Sequence, residues 1–593
     1  MRFTNLSLAT FTLAAASQTP TDPGYNCQLG QPCWPSWQEW KQLNTTLDGN
    51  LHYTVPIGAP CYKNSRAYDS LTCDGVESYY NNSIPRGEHY GQTYWLNWES
   101  CGNSGCALLG SDPRDTLFNT CSLGRLAAYY VDVRQPTHIS AALQFARKNN
   151  IRISIKNTGH DFYGRSSVPG SLAIWTKNLD TLDFYPDFTA HNCPSANGQN
   201  VGEMGAGVVA GDAYQFFNAH GMDIAGGYEE SVGLAGGFGQ GGGIGSFVSL
   251  HGLLVDNAVE FEVITADGQV RLINECNDPD LFWAMRGGGG GTFAVLTKYR
   301  VKVYPSLPIH LYNFSANFTG VTPSTKATQI PALREIIKAH AENQLHWSEH
   351  LLAGDIEYYP ERIAVGLVLP YADDGSKLKA ATASFDAFLR NRTDLTGVQG
   401  GYVSYPDYAH FLNYTSADAG NTEPAGIYSI LSSRLIPRDV FTNPDTINAL
   451  ADGVVEGIVS ARNVLNRTGI QVNIGTPPAN KQTSANPAWR TSLWHAIHVG
   501  EWATPLSPDA LKAVEHGFLD AVEPLKALTP GGGAYVNEAS YSEPEWEQTY
   551  FGEYYPRLLE VKRKYDPEHL FDCFKCVGWR GEDDSFYSCY NKD

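Results

Sequence analysis

Apolar and polar positions fall into regular patterns only in the later four-fifths of the chain. Residues 17–120 are sparsely periodic and rich in loop formers and cysteine, and predict an extension that wraps the surface of the rest. From Cys121 the texture changes to α/β alternation. Thr137 caps a predicted helix over His138–Asn149, with Ile139, Leu143 and Ala146 on one face. Ile151–Lys156 (IRISIK) alternates like a strand and runs into a loop over Asn157–Ser167. Val259–Ile273 predicts a hairpin turning at Asp267-Gly268.

Residues 304–528 carry more aromatics and longer amphipathic segments, with helices predicted over Ile330–Asn343 and Gly375–Leu389. The end of the chain predicts a strand over Tyr535–Ala539 and a helix over Glu543–Lys564, stopped at Asp566-Pro567. The resulting division is a leader (1–16), a Cys-rich extension (17–120), an α/β unit (121–303), a second domain (304–528) and a C-terminal segment (529–593).

The leader assignment rests on Arg2, a short apolar run and the small-residue exit Ala14-Ala15-Ala16, which read as a secretory signal rather than a membrane span. Twelve cysteines agree with an oxidising compartment. Close spacings such as Cys27/Cys33, Cys101/Cys106 and Cys573/Cys576 read as disulfides whose connectivity spacing cannot give; Cys573-Phe-Lys-Cys576 lacks the second ligand pair of a zinc site. Seven Asn-x-Ser/Thr sequons follow the leader, at Asn44, Asn81, Asn313, Asn317, Asn391, Asn413 and Asn466. We therefore expect a secreted, glycosylated monomer. A formal charge of −20 argues against nucleic acid or anionic membrane as partner.

Three segments carry the chemistry. Ile155-Lys-Asn-Thr-Gly-His160-Asp-Phe-Tyr-Gly164-Arg-Ser-Ser167 places a histidine in a glycine-containing loop at a strand end, where backbone N–H groups can converge on a pyrophosphate. Taken alone, an ordinary turn with a hydrogen-bonded histidine is an equal reading. Gly226–Gly243 holds nine glycines in eighteen residues. It is not serine-rich like a linker, has no Gly-Lys-Ser/Thr ending, and follows no strand–Gly-x-Gly–helix unit, so it reads as backbone laid flat against an extended cofactor. Asp280–Ala294, with five consecutive glycines from Gly287 to Gly291, makes the same case.

Together with YVNEAS…EPEW…YPRLLEVKRKYDP near the C-terminus, these segments resemble the vanillyl-alcohol-oxidase/p-cresol-methylhydroxylase flavoprotein superfamily, and within it the berberine-bridge-enzyme-like group of secreted fungal type. The likeness covers about Cys121–Val303 and Tyr535–Val577, with looser matches at LSSRLIPR (431–438) and NPAWR (486–490). It implies an α+β fold: a PCMH-type FAD domain of two α/β subdomains, plus a substrate domain with an antiparallel sheet backed by helices. It further implies that His160 bonds the 8α-carbon of FAD, that Asn157, Thr158, Gly159, Asp161, Gly164, Arg165 and Ser166 form the pyrophosphate and flavin loop, that Ser231, Gly233, Gly236, Gly237 and Gly241 form the second cofactor segment, and that Val263 meets the adenine.

Two positions depart from the group's pattern. Glu229 stands where many relatives carry a cysteine that gives a second flavin bond, so a single histidyl link is expected. Tyr554 stands where relatives often carry an Asn near the flavin. Val232 falls where plant relatives place a small residue that admits O2. The resemblance implies a two-electron oxidation of a small-molecule alcohol, sugar or secondary metabolite, with O2 reduced to H2O2; the alternatives are an oxidative cyclase or a catalytically silent flavin or carbohydrate binder. Glu538 and Tyr535 are the candidate proton acceptors, although two residues between them would put their side chains on opposite faces of an ideal strand. His495 and His498 are expected to line the substrate face as a polar wall, with no metal.

Overall fold

Parallel pairing starts where the alternation starts. In the computed structural model, which describes residues 27–109, 112–193, 198–321, 330–418, 425–581, 587, 589 and 590, the first sheet contains Leu51–Tyr53 (β1), Tyr129–Asp132 (β2), Ile153–Lys156 (β3) and Leu172–Trp175 (β4). Its order is β1-β2-β4-β3, with β4 parallel to both β2 and β3 and β1 added antiparallel. The helix between β2 and β3 spans Pro136–Lys148 (α1). It starts earlier than Thr137: Gln135 is the N-cap, and Pro136 takes the first helical position, where a missing N–H costs nothing. Its face of Ile139, Ala142, Leu143 and Ala146 packs on Val131, Ile153 and Ile174. The expected leader lies outside the described residues.

The second sheet is antiparallel throughout. Leu182–Phe188 (β5), Gln199–Gly205 (β6), Ala258–Ile264 (β7), Val270–Asn274 (β8) and Val295–Lys302 (β9) run in the order β8-β7-β9-β6-β5. The hairpin expected around Asp267-Gly268 is β7–β8, closed by Gly268 N donating to Thr265 O at 2.8 Å.

The third sheet has seven antiparallel strands: Ile309–Phe318 (β10), Ala353–Tyr358 (β11), Arg362–Pro370 (β12), Leu395–Tyr405 (β13), Tyr428–Pro437 (β14), Thr468–Ile474 (β15) and Ser492–Trp502 (β16), in the order β13-β10-β12-β11-β15-β16-β14. Its two faces differ sharply. One side carries Tyr312, Phe314, Ile356, Tyr358, Val472 and Trp494 into a core shared with helices Ile330–Glu349 (α2), Ser376–Arg390 (α3), Pro444–Val464 (α4) and Pro508–Leu528 (α5). The alternate residues face the other way, toward the first two sheets. The helices expected over 330–343 and 375–389 are α2, which continues six residues further, and α3. Among the described residues no helix is long and apolar enough to cross a membrane.

The C-terminal segment departs from its pattern. Tyr535–Ala539 is not a strand but a turn, closed by Glu538 N donating to Tyr535 O at 2.9 Å. The single helix expected over 543–564 is split into Trp546–Phe551 and Tyr555–Tyr565 (α6). Gly552 (φ +56°) lies at the break, in a conformation a glycine takes without strain.

All twelve cysteines pair, as Cys27–Cys33, Cys61–Cys73, Cys106–Cys121, Cys193–Cys276, Cys573–Cys576 and Cys101–Cys589. The Cys101/Cys106 neighbours are therefore not joined; each reaches a different partner. Of the sequon residues, Asn317, Asn391, Asn413 and Asn466 are exposed, whereas the Asn313 amide oxygen accepts from Gly401 N at 2.8 Å.

Candidate active site

Between the open face of the seven-stranded sheet and the first two sheets lies a cavity of about 1320 Å³. Its walls include Asn157–Phe162, Arg165 and Ser166 after β3, the glycine-rich stretch with Gly233, Gly236 and Gly237, Gly290 and Gly291, the sheet residues Asp355, Gln471, Asn473 and Ile497, and Asn537 and Glu538 from the C-terminal turn.

The loop after β3 is held from behind by the Cys-rich extension. Lys156 is buried, and its ammonium donates to Tyr90 O at 2.7 Å and to Gln92 O; burial brings its pKa down to about 7. Gln92 Nε2 donates to Thr158 O at 3.1 Å, and Tyr94 N donates to Gly159 O at 2.9 Å. Gly159 has φ +95°, so the chain can turn there without a Cβ in the way. The N–H groups of Thr158, Gly159 and His160 donate to no acceptor among the described residues, which leaves them for an anionic ligand.

The glycine-rich segment explains itself by what a Cβ would meet. At Gly233 and Gly236 it would press on the Asn157 side chain, at 2.8 and 2.7 Å. At Gly237 it would meet nothing within 4 Å, because this stretch of bare backbone faces the cavity. Asn157 Oδ1 is buried without a partner in the same wall. An orphaned acceptor, open N–H groups and a flat glycine surface around this volume fit a dinucleotide such as FAD. Four residues expected at the cofactor do not line the cavity. Gly164 packs against Trp98, Gly241 against Asn537, and Val263 is buried in β7; Ser231 stands behind His160.

His160 sits partly open in the wall, its ring stacked on Tyr94 with centroids 3.9 Å apart. Its Nε2 lies 2.8 Å from Ser231 Oγ, and Ser231 Oγ donates to Glu229 Oε1 at 2.7 Å. Burial lowers the imidazole pKa to about 3, so the ring is neutral at physiological pH.

Glu538 also lines the cavity, and burial raises its carboxyl pKa to about 7. Its Oε2 is 3.6 Å from Nδ1 of His495, itself held neutral by burial, with a pKa lowered to about 3. Tyr535 differs from expectation. The turn buries its ring completely, and its hydroxyl accepts from Gly243 N and Asn537 Nδ2, each at 2.8 Å. It anchors the turn to the glycine-rich segment instead of facing the cavity. This resolves the strand-face problem, because only Glu538 points inward.

His495 and His498 lie on opposite faces of β16. His498 faces the helices: a methyl at Gly457 of α4 would come within 2.6 Å of its Nε2. The expectation that both histidines line the substrate face is therefore corrected: three residues along a strand turn His498 to the other face, and His495, buried behind Glu538, is not in the cavity wall either. Tyr554 packs edge-on against Trp283, centroids 5.6 Å apart, and is not in the cavity wall.

The sequence missed two contributors. Tyr94 and Trp95 come from the extension read as a surface wrap; the aromatic density of Tyr90-Gly-Gln-Thr-Tyr94-Trp95 was the available signal. The polar roof of Asp355, Glu357, Tyr359, Gln471, Asn473 and Glu501 was the other. Asp355 is pushed up to about 7, first by burial and then by neighbouring Glu357. Glu357 and Glu501 pair with Arg362 and Arg467 at 3.1 and 3.0 Å.

Comparison with known proteins gives the following likenesses. A family described as "FAD binding domain" matches residues 127–274, and one described as "Berberine and berberine like" matches 534–575. The chain is 31% identical over 581 residues to the FAD-linked oxidoreductase ZEB1 of Gibberella zeae, covering 95% of each. It is 32% identical over 587 residues to the VAO-type flavoprotein oxidase VAO615 of Thermothelomyces thermophilus, again covering 95% of each. The crystal structure of the VAO-type flavoprotein MtVAO615 from Myceliophthora thermophila C1 superposes with a TM-score of 0.81 at 29% identity, covering 93% of this chain and 97% of that one.

Proposed function

The chain belongs to the VAO-type FAD-linked oxidoreductases with a berberine-like C-terminal segment, and from that premise we propose that it is a secreted oxidase carrying FAD through a single covalent bond to His160. The observation that carries this reading is one cavity walled by bare glycine backbone, a neutral histidine and a carboxyl group poised near pH 7.

When bound, FAD supplies a two-electron acceptor for hydride. The protein's own groups do the rest. The loop after β3 offers its open N–H groups to the pyrophosphate. Glu538 takes the proton from the substrate hydroxyl as hydride leaves the same carbon. Its raised pKa suits that role, because a carboxylate that ionises near neutrality is a stronger base than an ordinary one. Neutral His495 beside it leaves that charge state free to change. The roof of acids, amides and Tyr359 supports a polar, hydroxyl-bearing substrate. Val232 in the wall supports O2 as the electron acceptor, by analogy with relatives.

The test is a screen of sugars, alcohols and aromatic metabolites for peroxide release, combined with acid precipitation of the protein. Peroxide formation with a flavin that stays in the pellet is the expected result. A flavin that no substrate bleaches would leave a binding protein. Turnover confined to a phenolic or polyketide precursor with ring closure would make it a cyclase.

A further inference from the structure

A chain of hydroxyl and carboxylate groups ends on the His160 ring, and its hydrogen atoms can be assigned. Glu229 Oε1 accepts from Ser231 Oγ at 2.7 Å and from Ser83 Oγ, at the start of a short helix of the extension, at 3.1 Å. A carboxylate only accepts, so the single hydroxyl hydrogen of Ser231 is committed to Glu229. Toward His160, 2.8 Å away, Ser231 Oγ has only lone pairs left, and Nε2 must bring the proton. A neutral imidazole has one N–H. Its Nδ1 is therefore bare, and it makes no hydrogen bond among the described residues, although His160 lines the cavity. Stacking on Tyr94 fixes the plane of the ring.

We propose that Glu229, acting through Ser231, is a positioning residue that locks His160 as the Nε2–H tautomer and thereby makes Nδ1 the atom that bonds the 8α-carbon of FAD. The proposal rests on the covalent link inferred above. In that step the Nδ1 lone pair forms the new N–C bond, and one C–H bond of the 8α-methyl group breaks. Its proton leaves, and its electron pair reduces the ring system. The alkylated imidazole sheds its Nε2 proton, for which Ser231 and Glu229 form the exit. O2 then takes up two electrons and two protons to give H2O2 and restores the oxidised cofactor. Overall, carbon and nitrogen lose one hydrogen each, and both appear in the peroxide.

The experiment uses the full chain produced in flavin-poor medium and then given excess FAD. The fraction of flavin that stays with acid-precipitated protein is followed in time, and bound FAD is monitored separately by its absorption spectrum. Ser231→Ala and Glu229→Gln should bind FAD but attach it roughly ten- to a hundredfold more slowly, the scale of a hydrogen bond involving a charged group. Ser231→Thr and Glu229→Asp should recover much of the rate, which a purely structural defect would not predict. NMR of the flavinyl peptide from wild-type protein should place the link at Nδ1; this measurement needs no variant, so it decides the matter even if a substituted protein fails to fold. A link at Nε2, or wild-type attachment rates in both Ser231→Ala and Glu229→Gln, overturns the relay while leaving the covalent link standing. Complete release of flavin by acid from wild-type protein overturns the covalent reading itself, and the relay with it.

Discussion

Glu538→Gln removes one ionisable group from the cavity and keeps the volume of the side chain. With its carboxyl near pH 7, about one-tenth of Glu538 is ionised at pH 6 and about nine-tenths at pH 8. If it is the base, the rate of flavin reduction in the wild type should climb roughly tenfold across that interval. The variant should be flat with pH and slower by about a hundred- to ten-thousandfold, the usual worth of a general base. The assay is anaerobic stopped-flow at the flavin absorption band, with a substrate found by the peroxide screen and flavin content checked in each preparation. A second, independent sign comes from stability. A carboxyl whose folded pKa is raised favours the fold below its ordinary pKa and loses that contribution as pH rises through about 7. Glutamine has no such loss, so the melting temperature of the variant should gain on the wild type between pH 5 and pH 8. Equal reduction rates in the two proteins, or a wild-type rate without a limb near pH 7, would refute the assignment and move the base elsewhere in the cavity.

His160→Ala should release all flavin into the supernatant on acid precipitation, while the wild type keeps it in the pellet. Tyr535→Phe removes the acceptor for Gly243 N and Asn537 Nδ2; it should lower stability by about 1–3 kcal/mol in chemical denaturation yet slow flavin reduction far less than Glu538→Gln does. Gly241→Ala would drive a methyl into Asn537 Oδ1 and displace the C-terminal turn, at a cost of about 1–3 kcal/mol and with a loss of bound FAD visible in the absorption spectrum. Alkylation of the denatured but unreduced protein should label no cysteine, and labelling of Cys101 or Cys589 by mass spectrometry would contradict the pairing described here.

Much of the cofactor half of the site was legible because its signals are local. A strand ending in Asn-Thr-Gly-His, and glycines too dense for helix, strand or core, state their geometry within a few residues, and the loop and bare backbone sit where they imply. The β7–β8 hairpin was legible for the same reason, since its turn residues choose the turn. What failed depended on distant partners. Tyr535–Ala539 alternates like a strand, but among the described residues no neighbouring strand pairs with it, and the hydrogen bonds from Gly243 and Asn537 hold it as a turn. Spacing placed Cys101 beside Cys106, whereas Cys101 bonds a residue 488 positions away. The contribution of Tyr94 and Ser83 comes from a segment without periodicity, whose role is set by what it packs on. The separation of His495 from His498 is a different case, because the two-residue period of a strand already sends them to opposite faces.

The Cys101–Cys589 bond has a consequence for the order in which the molecule can be completed. During synthesis Cys101 emerges with Cys106 five residues behind it and Cys121 shortly after, and almost the whole remaining chain must follow before its own partner exists. Three thiols within twenty-one residues are thus together early, when only two of them should join. Any premature Cys101–Cys106 or Cys101–Cys121 bond has to be undone by thiol–disulfide exchange before maturation can finish. Closure at Cys589 fastens the tail to the segment that splints the His160 loop, and because Cys589 is the last cysteine of the sequence, this is the disulfide whose partners are the last to coexist. A chain truncated before Cys589 would leave Cys101 as an unpaired thiol, a mark by which an unfinished molecule can be recognised and retained.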